Sequence, residues 1–84
     1  MKRSLTLHAD DGHAWLEVSL NDIRYLGIWD KISRYSYIKD DRAFLEEDCD
    51  ANVYLNKAKE EGWKISVTEK YMINSFVRNL PIHF

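Results

Sequence analysis

The sequence predicts an α+β fold, a two-layer sandwich in which two helices cover one face of an antiparallel sheet. Stretches of alternating apolar and polar residues, typical of half-buried strands, recur along the chain, and a short segment with helical spacing follows each predicted hairpin. With 84 residues, 45% of them hydrophobic, and only three glycines and one proline, the chain suits one packed domain over residues 1–84. The predicted order is β-β-α-β-β-α-β, with room for one more short strand at the end.

The first predicted hairpin pairs a strand over residues 2–8 with a returning strand over 13–18. Residues 9–12 have the composition of a turn, because aspartate bonds its own backbone and Gly12 tolerates a positive φ. Alternation places Trp15 on the face opposite Leu16, so the sequence predicts that the indole either packs under a covering segment or lies on a wet surface.

A short helix over residues 20–26 should follow the hairpin. Ser19 and Asp22 have the spacing of a capping box, and Gly27 stands where a helix would stop. We expect the helix to bury its apolar positions, which are Leu20, Ile23 and Leu26.

A second hairpin is predicted from a strand over residues 32–38, a turn over 39–42 and a strand over 43–46. Tyr35 and Tyr37 favour the first of these strands because aromatic side chains fit a pleated, half-buried surface. In a strand the two tyrosines would share one face.

Asp48 or Asp50 is the predicted N-cap of a second helix, which should end at Gly62. Its apolar positions follow helical spacing and are Ala51, Tyr54, Leu55 and Ala58.

A further strand is predicted over residues 63–71, with Trp63, Ile65 and Val67 on a buried face and polar residues on a wet one. Pro81 limits the C-terminal tail to an edge strand or an extended segment.

Charge and composition exclude several function classes. The formal net charge is −2, which disfavours a nucleic-acid-binding regulator using Lys64, Lys70 and Arg78. The charge is unevenly placed, because residues 40–50 hold six acids against one base, a local charge of −5. No apolar run reaches the roughly 18–20 residues of a membrane span, so no membrane partner and a location in the host-cell cytoplasm are expected. The single cysteine, Cys49, excludes an internal disulfide.

Catalytic candidates are few. His8 and His13 flank the first turn, and together with Cys49 and the acids of 46–50 they offer groups for acid–base chemistry or metal binding. They support the alternative function, a small metal-dependent or nucleotide-acting enzyme. No Gly-rich phosphate loop, nucleophile elbow or paired cysteine motif is present, so no catalytic residue, metal or cofactor is predicted, and Cys49 is expected as a small buried thiol.

Aromatic residues are the more suggestive feature. Three tryptophans and five tyrosines are more than a core of this size should absorb, and such side chains anchor protein interfaces because they bury area at little entropic cost. The predicted partner-binding surface combines them with the acidic segment, and its residues are Trp15, Trp29, Tyr35, Tyr37, Asp40, Asp41, Glu46, Glu47, Asp48 and Asp50.

Five segments together resemble a family of small uncharacterised proteins encoded by phages, prophages and plasmids. In this sequence they read DGHAWLEV (11–18), LGI (26–28), KISRYSY (31–37), LEEDCD (45–50) and NSFVRNL (74–80). In that family a glycine usually stands at the position of Ala14, and a tyrosine often at that of Phe44. The resemblance implies a non-enzymatic binding module that engages a host protein and inhibits it, as anti-defence proteins do. A homodimer is compatible with the predicted edge strands.

Overall fold

The computed structural model describes residues 1–84 and has a mixed six-stranded sheet with two α-helices, so the fold is α+β as predicted. Short 3₁₀ turns cover Trp29–Lys31 and Phe76–Asn79. None of the helices has the length and apolar composition of a membrane span. In chain order, the elements are β1 (Lys2–Ala9), β2 (Ala14–Ser19), α1 (Leu20–Tyr25), β3 (Tyr37–Lys39), β4 (Arg42–Glu46), α2 (Asp50–Glu60), β5 (Lys64–Tyr71) and β6 (Ile82–His83).

The strands lie in the order β5-β1-β2-β4-β3-β6, and the prediction of a purely antiparallel sheet is wrong at one edge. There β5 pairs in parallel with β1 along its whole length, from Lys2 opposite Lys64 to Ala9 opposite Tyr71. The cause is the connection, because α2 lies between β4 and β5 and returns the chain so that β5 runs in the direction of β4. Both β4 and β1 are antiparallel to β2, so β5 and β1 are parallel.

Both helices pack on one face of the sheet, which we call the helix face. Their buried residues form one apolar cluster with the alternate sheet residues that the periodicity selected. The fully buried members include Leu16, Val18, Ile23, Leu45 and Tyr54.

The opposite face, which we call the outer face, carries a second and smaller apolar cluster. Trp15, Phe44 and Val77 form it, and Tyr37 and Leu80 pack against them. Val77 belongs to the second 3₁₀ turn, so the C-terminal segment covers the middle of this face. Trp15 is therefore only 4% exposed and not part of a wet surface.

The predicted strand over residues 32–38 is regular only from Tyr37 onward. Residues 32–36 form a loop, because Asp50 accepts hydrogen bonds from Ser33 and Ser36 and bends the chain away from the sheet. Tyr35 consequently lies in this loop and not in the strand that contains Tyr37. Neither Asp48 nor Asp50 caps α2, whose N-cap is Cys49 without a side-chain cap bond.

Two further predictions fail for local reasons. Ser19 does cap α1 by accepting from the Asn21 N–H at 3.0 Å, but Asp22 turns into the core instead of completing a capping box. Gly12 has no positive φ; a Cβ there would lie 2.8 Å from Arg78 Nη2, so the glycine provides space.

The helix-face side of β5 is also less buried than predicted. Trp63 is buried and Ile65 half-buried, but Val67 is 47% exposed and every residue from 66 to 71 is exposed. The reason is the place of β5 as the outermost strand, beside β1 alone.

A buried polar network ties the helix face together. The Asp22 carboxylate accepts from Arg3 Nε at 2.8 Å and from the Tyr54 hydroxyl at 3.0 Å. Burial disfavours its ionisation, but the hydrogen bonds from Arg3 and Tyr54 outweigh burial and lower the pKa of Asp22. The network thus links β1, α1 and α2 through one ionised side chain.

Tyr54→Phe tests this network. The phenol is fully buried, and its loss removes one donor to a buried carboxylate. We expect the free energy of unfolding to fall by about 1–3 kcal/mol, measured by urea denaturation. Tyr25→Phe is the matched control, because Tyr25 is 65% exposed and should lose almost nothing. Equal stability of the two variants would contradict the role of the network.

Candidate functional site

A cleft of about 550 Å³ lies on the outer face, between the loop of residues 32–36, the start of α2 and the ends of β2 and β4. It contains five residues of the predicted partner-binding surface. These are Trp15, Tyr35, Tyr37, Glu46 and Asp48. Four other residues complete its lining, namely His13, Ser33, Cys49 and Arg78.

Aromatic rings form the floor of the cleft. Trp15 and Tyr37 meet edge to face with ring centroids 6.2 Å apart, and the His83 ring lies 4.3 Å from Tyr37. Trp15 belongs to the outer-face cluster and Tyr37 packs against it. Because neighbouring side chains surround these two rings, the floor is rigid. A rigid apolar floor favours binding, since little rotamer freedom is lost when a ligand covers it.

Tyr35 stands at one wall and is 76% exposed. Its loop is held from below by Asp50, whose two carboxylate oxygens each accept from the Ser33 N–H at 3.0 Å. The Ser33 hydroxyl donates to Asp50 at 2.6 Å and accepts from the Tyr35 N–H at 3.2 Å. The Ser36 hydroxyl also donates to Asp50 and accepts from the Glu46 N–H at 2.9 Å. The tyrosine is therefore exposed on a backbone that is fixed.

A second, smaller hollow of about 410 Å³ lies beside the same loop and is lined by Ser33, Arg34 and Tyr35. The Arg34 carbonyl accepts from His83 Nδ1 at 2.9 Å, which joins this side of the loop to β6. Tyr35 thus separates two concave surfaces.

Arg78 closes another side of the cleft and is paired with Asp10. Its Nε donates to one carboxylate oxygen and its Nη2 to the other at 2.8 Å, and the guanidinium lies 5.5 Å from the Trp15 ring centroid. Three backbone N–H groups also donate to Asp10, from Gly12 at 3.0 Å, His13 at 2.9 Å and Ser75 at 3.3 Å. The Arg78 hydrogen bond, together with these backbone bonds, holds the pKa of Asp10 far below its usual range.

The acidic rim consists of Glu46 and Asp48. The Glu46 carboxylate accepts from the Asp48 N–H at 3.0 Å, so its position is set by the turn before α2. Cys49, the N-cap residue of α2, lies beside them and is exposed, contrary to the expectation of a buried thiol.

The remaining residues of the predicted surface lie elsewhere. Asp50 is fully buried and is not available to a partner. Asp40 and Asp41 occupy the turn between β3 and β4, where Asp40 has φ 55°. Trp29 packs against Phe84 with centroids 5.0 Å apart, and Glu47 is exposed outside the cleft lining.

The two histidines of the enzyme alternative have different surroundings. His8 Nε2 lies 2.7 Å from the Glu17 carboxylate, and its ring packs against Phe44 and Phe76. Burial opposes the ionisation of Glu17, but hydrogen bonds from His8 and Arg42 outweigh it and lower the pKa of Glu17. His13 lines the cleft next to Trp15. No three His, Cys, Asp or Glu side chains come close enough together to hold a metal ion.

Ser33 is a cleft residue that the sequence did not indicate, and Arg78 was named only for the disfavoured nucleic-acid-binding role. Ser33 lies inside a segment that aromatic propensity assigned to a strand, and its serines were the only local sign of a turn. Arg78 carried no local signal, because its partner Asp10 is 68 residues away.

Comparison of the chain with models of protein families, with curated proteins and with solved structures gave no match. The cleft therefore has to be interpreted from its own geometry.

Asp50→Asn tests the support of the Tyr35 loop. The asparagine side chain has one accepting oxygen where aspartate has two, so it leaves donors of Ser33 and Ser36 without partners at a buried position. We expect the free energy of unfolding to fall by about 1–3 kcal/mol and the Ser33 amide to exchange faster with deuterium.

Asp48→Asn is the control for this substitution. It alters an exposed carboxylate two residues earlier and should change stability by less than about 0.5 kcal/mol. Unchanged exchange of the Ser33 amide in Asp50→Asn would show that the loop does not depend on Asp50.

Asp10 should make stability pH-dependent. Because its pKa is lower in the folded than in the unfolded chain, its contribution is complete above the unfolded value of about 4 and is lost as the pH falls toward the folded value. Urea unfolding at a series of pH values from neutral to acid should show a shallower acid loss of stability in Asp10→Asn than in the wild type.

Asp30→Asn, at an exposed carboxylate, is the control and should keep the wild-type pH dependence. A wild-type pH profile in Asp10→Asn would contradict the importance of the Asp10–Arg78 pair.

Proposed function

We propose that the chain is a non-enzymatic binding module of a phage or another mobile element, which engages a host protein through the Tyr35 cleft. The resemblance of five segments to small phage, prophage and plasmid proteins supports the origin. Inhibition of a host defence protein is the outcome that this origin favours. The binding role itself is argued from the cleft.

The observation that carries the proposal is the exposure of Tyr35 above a rigid aromatic floor. A tyrosine ring that is 76% exposed contributes little to folding, yet its backbone is fixed by a buried carboxylate. Tyrosine and tryptophan dominate binding energy in protein interfaces when a partner excludes water from them. Tyr35 and Tyr37 offer exposed aromatic surface on one concave surface, where the nearly buried Trp15 completes the aromatic lining.

The charge of the cleft favours a basic partner. Glu46 and Asp48 are acids at its rim, and the one cationic side chain in the lining, Arg78, is already neutralised by Asp10. A lysine or arginine of a partner would meet the rim carboxylates while its aliphatic part covers the rings. Steering by such charges reaches about 8 Å at physiological ionic strength, so the acids act during the final approach.

Tyr35→Ala tests the proposal. A tagged wild-type chain would be used to isolate its partner from host cells, and the affinity of the purified pair would then be measured by calorimetry. Because Tyr35 is mostly exposed, the variant should fold normally but bind the partner at least about tenfold more weakly.

Tyr25→Ala is the matched control, because Tyr25 is a similarly exposed tyrosine outside the cleft. Asp48→Lys against Asp30→Lys makes the corresponding comparison for charge, with only the first expected to weaken binding. Full affinity in both Tyr35→Ala and Asp48→Lys would reject the cleft as the binding surface.

A further inference from the structure

The free edge of β5 is the longest unpaired strand edge of the protein. All eight residues of β5 pair with β1 on one side, and no strand lies on the other. The opposite edge of the sheet is β6, which has two residues and follows Pro81. Short strands, prolines and charged side chains protect sheet edges from further pairing. The β5 strand has eight residues and no proline, and its charged residues are Lys64, Glu69 and Lys70.

The hydrogen bonds to β1 show which groups of β5 point outward. The Lys64 N–H donates to the Met1 carbonyl at 2.8 Å, and the Met72 N–H to the Ala9 carbonyl at 2.9 Å. In a parallel pair every second residue bonds to the same neighbour, so the even-numbered residues face β1. The outward N–H and C=O groups therefore belong to Ile65, Val67, Glu69 and Tyr71.

We propose that this edge binds β5 of a second copy of the chain, antiparallel and about a two-fold axis through Thr68. The two sheets would then join into one continuous sheet of twelve strands. The proposal is independent of the proposed function, because no residue of the Tyr35 cleft comes from β5.

The register follows from the outward groups and the charges. Outward-facing odd-numbered residues must lie opposite outward-facing odd-numbered residues of the other copy, so a two-fold axis normal to the sheet must pass between the two copies of one residue of β5. Centring on residue 67 would place Lys64 opposite Lys70, and centring on 69 or 70 would place Glu69 or Lys70 opposite itself. Like charges directly opposite are destabilising.

Centring on residue 66 avoids like charges but leaves an outward group of Glu69 without a hydrogen-bond partner. It places Glu69 opposite Trp63, whose N–H already donates to the Ala58 carbonyl at 2.9 Å. Centring on Thr68 pairs Val67 with Glu69 and Ile65 with Tyr71, so every outward group finds a partner.

The side chains of the helix face agree with this register. Val67 is 47% and Tyr71 56% exposed in the single chain, and Ile65 is only half-buried. In the proposed dimer, Tyr71 of one copy lies beside Ile65 of the other. The exposed end of each β5, at Tyr71, thus meets the end of the other β5 at Ile65, which packs against the apolar cluster of the helix face. Apolar surface is therefore buried on both copies.

Disulfide trapping tests the register in a Cys49→Ser background, which removes the exposed native thiol. Thr68 would face its own copy in a pair without hydrogen bonds, where Cα atoms are about 4.5 Å apart and a disulfide fits. Thr68→Cys should form a covalent dimer under mild oxidation, whereas Lys70→Cys should remain monomeric on a denaturing gel. Efficient cross-linking of Lys70→Cys, or none of Thr68→Cys, would overturn the register.

Charge substitution tests the same pairing without covalent capture. Val67→Glu places one acid opposite Glu69 in each of the two symmetric pairs and should weaken the dimer about tenfold in sedimentation or light-scattering dilution series. Val67→Lys, at the same exposed position, faces Glu69 favourably and should keep wild-type dimerisation, as should the double variant Val67→Glu/Glu69→Lys. A wild-type chain that is monomeric throughout the dilution series would overturn the proposal.

Discussion

The carboxylate of Asp50 has no contact with solvent, and its need for hydrogen-bond donors shapes the surface on which the cleft lies. A buried polar group is tolerated only when it is hydrogen-bonded, and here the donors come from Ser33 and Ser36. Since Ser36 also receives the Glu46 N–H, one side chain connects the start of α2, the Tyr35 loop and the end of β4. These three segments supply part of the cleft lining, and the remaining lining residues are His13, Trp15, Tyr37 and Arg78.

Two further carboxylates have the same kind of role at other places. Asp22 joins β1 to both helices on the helix face, and Asp10 joins the first turn to the C-terminal segment on the outer face. Each is held by an arginine far away in the sequence. In a small domain without a disulfide, such polar contacts specify how the segments meet, while the apolar clusters provide the bulk of the stabilisation.

Local periodicity was sufficient for the first hairpin, for α1 and for the position of α2, because these depend on contacts between near neighbours. It failed for residues 32–36, where β propensity is outweighed by Asp50 more than a dozen residues later. It also gave no information on the direction of β5, since alternation is the same in parallel and antiparallel strands.

The site was predictable only in part for the same physical reason. Trp15 was placed on the correct side of its strand, but its burial depends on Val77, and Arg78 depends on Asp10. Contacts across more than sixty residues leave no spacing pattern in the sequence. The acidic residues of 40–50 form one group in the sequence but not in the fold. Asp40 and Asp41 lie in the turn between β3 and β4, outside the cleft that Glu46 and Asp48 line.

In the loop of residues 32–36, the side chains that are exposed belong to different residues from those that anchor the loop. Its anchors are Ser33, Ser36 and Asp50, whereas the side chains of Arg34 and Tyr35 extend outward and are exposed. Substitutions at those two positions should change the exposed surface of the loop without disturbing the core. The sequence of this loop can therefore vary at its two exposed positions while the anchoring residues stay the same.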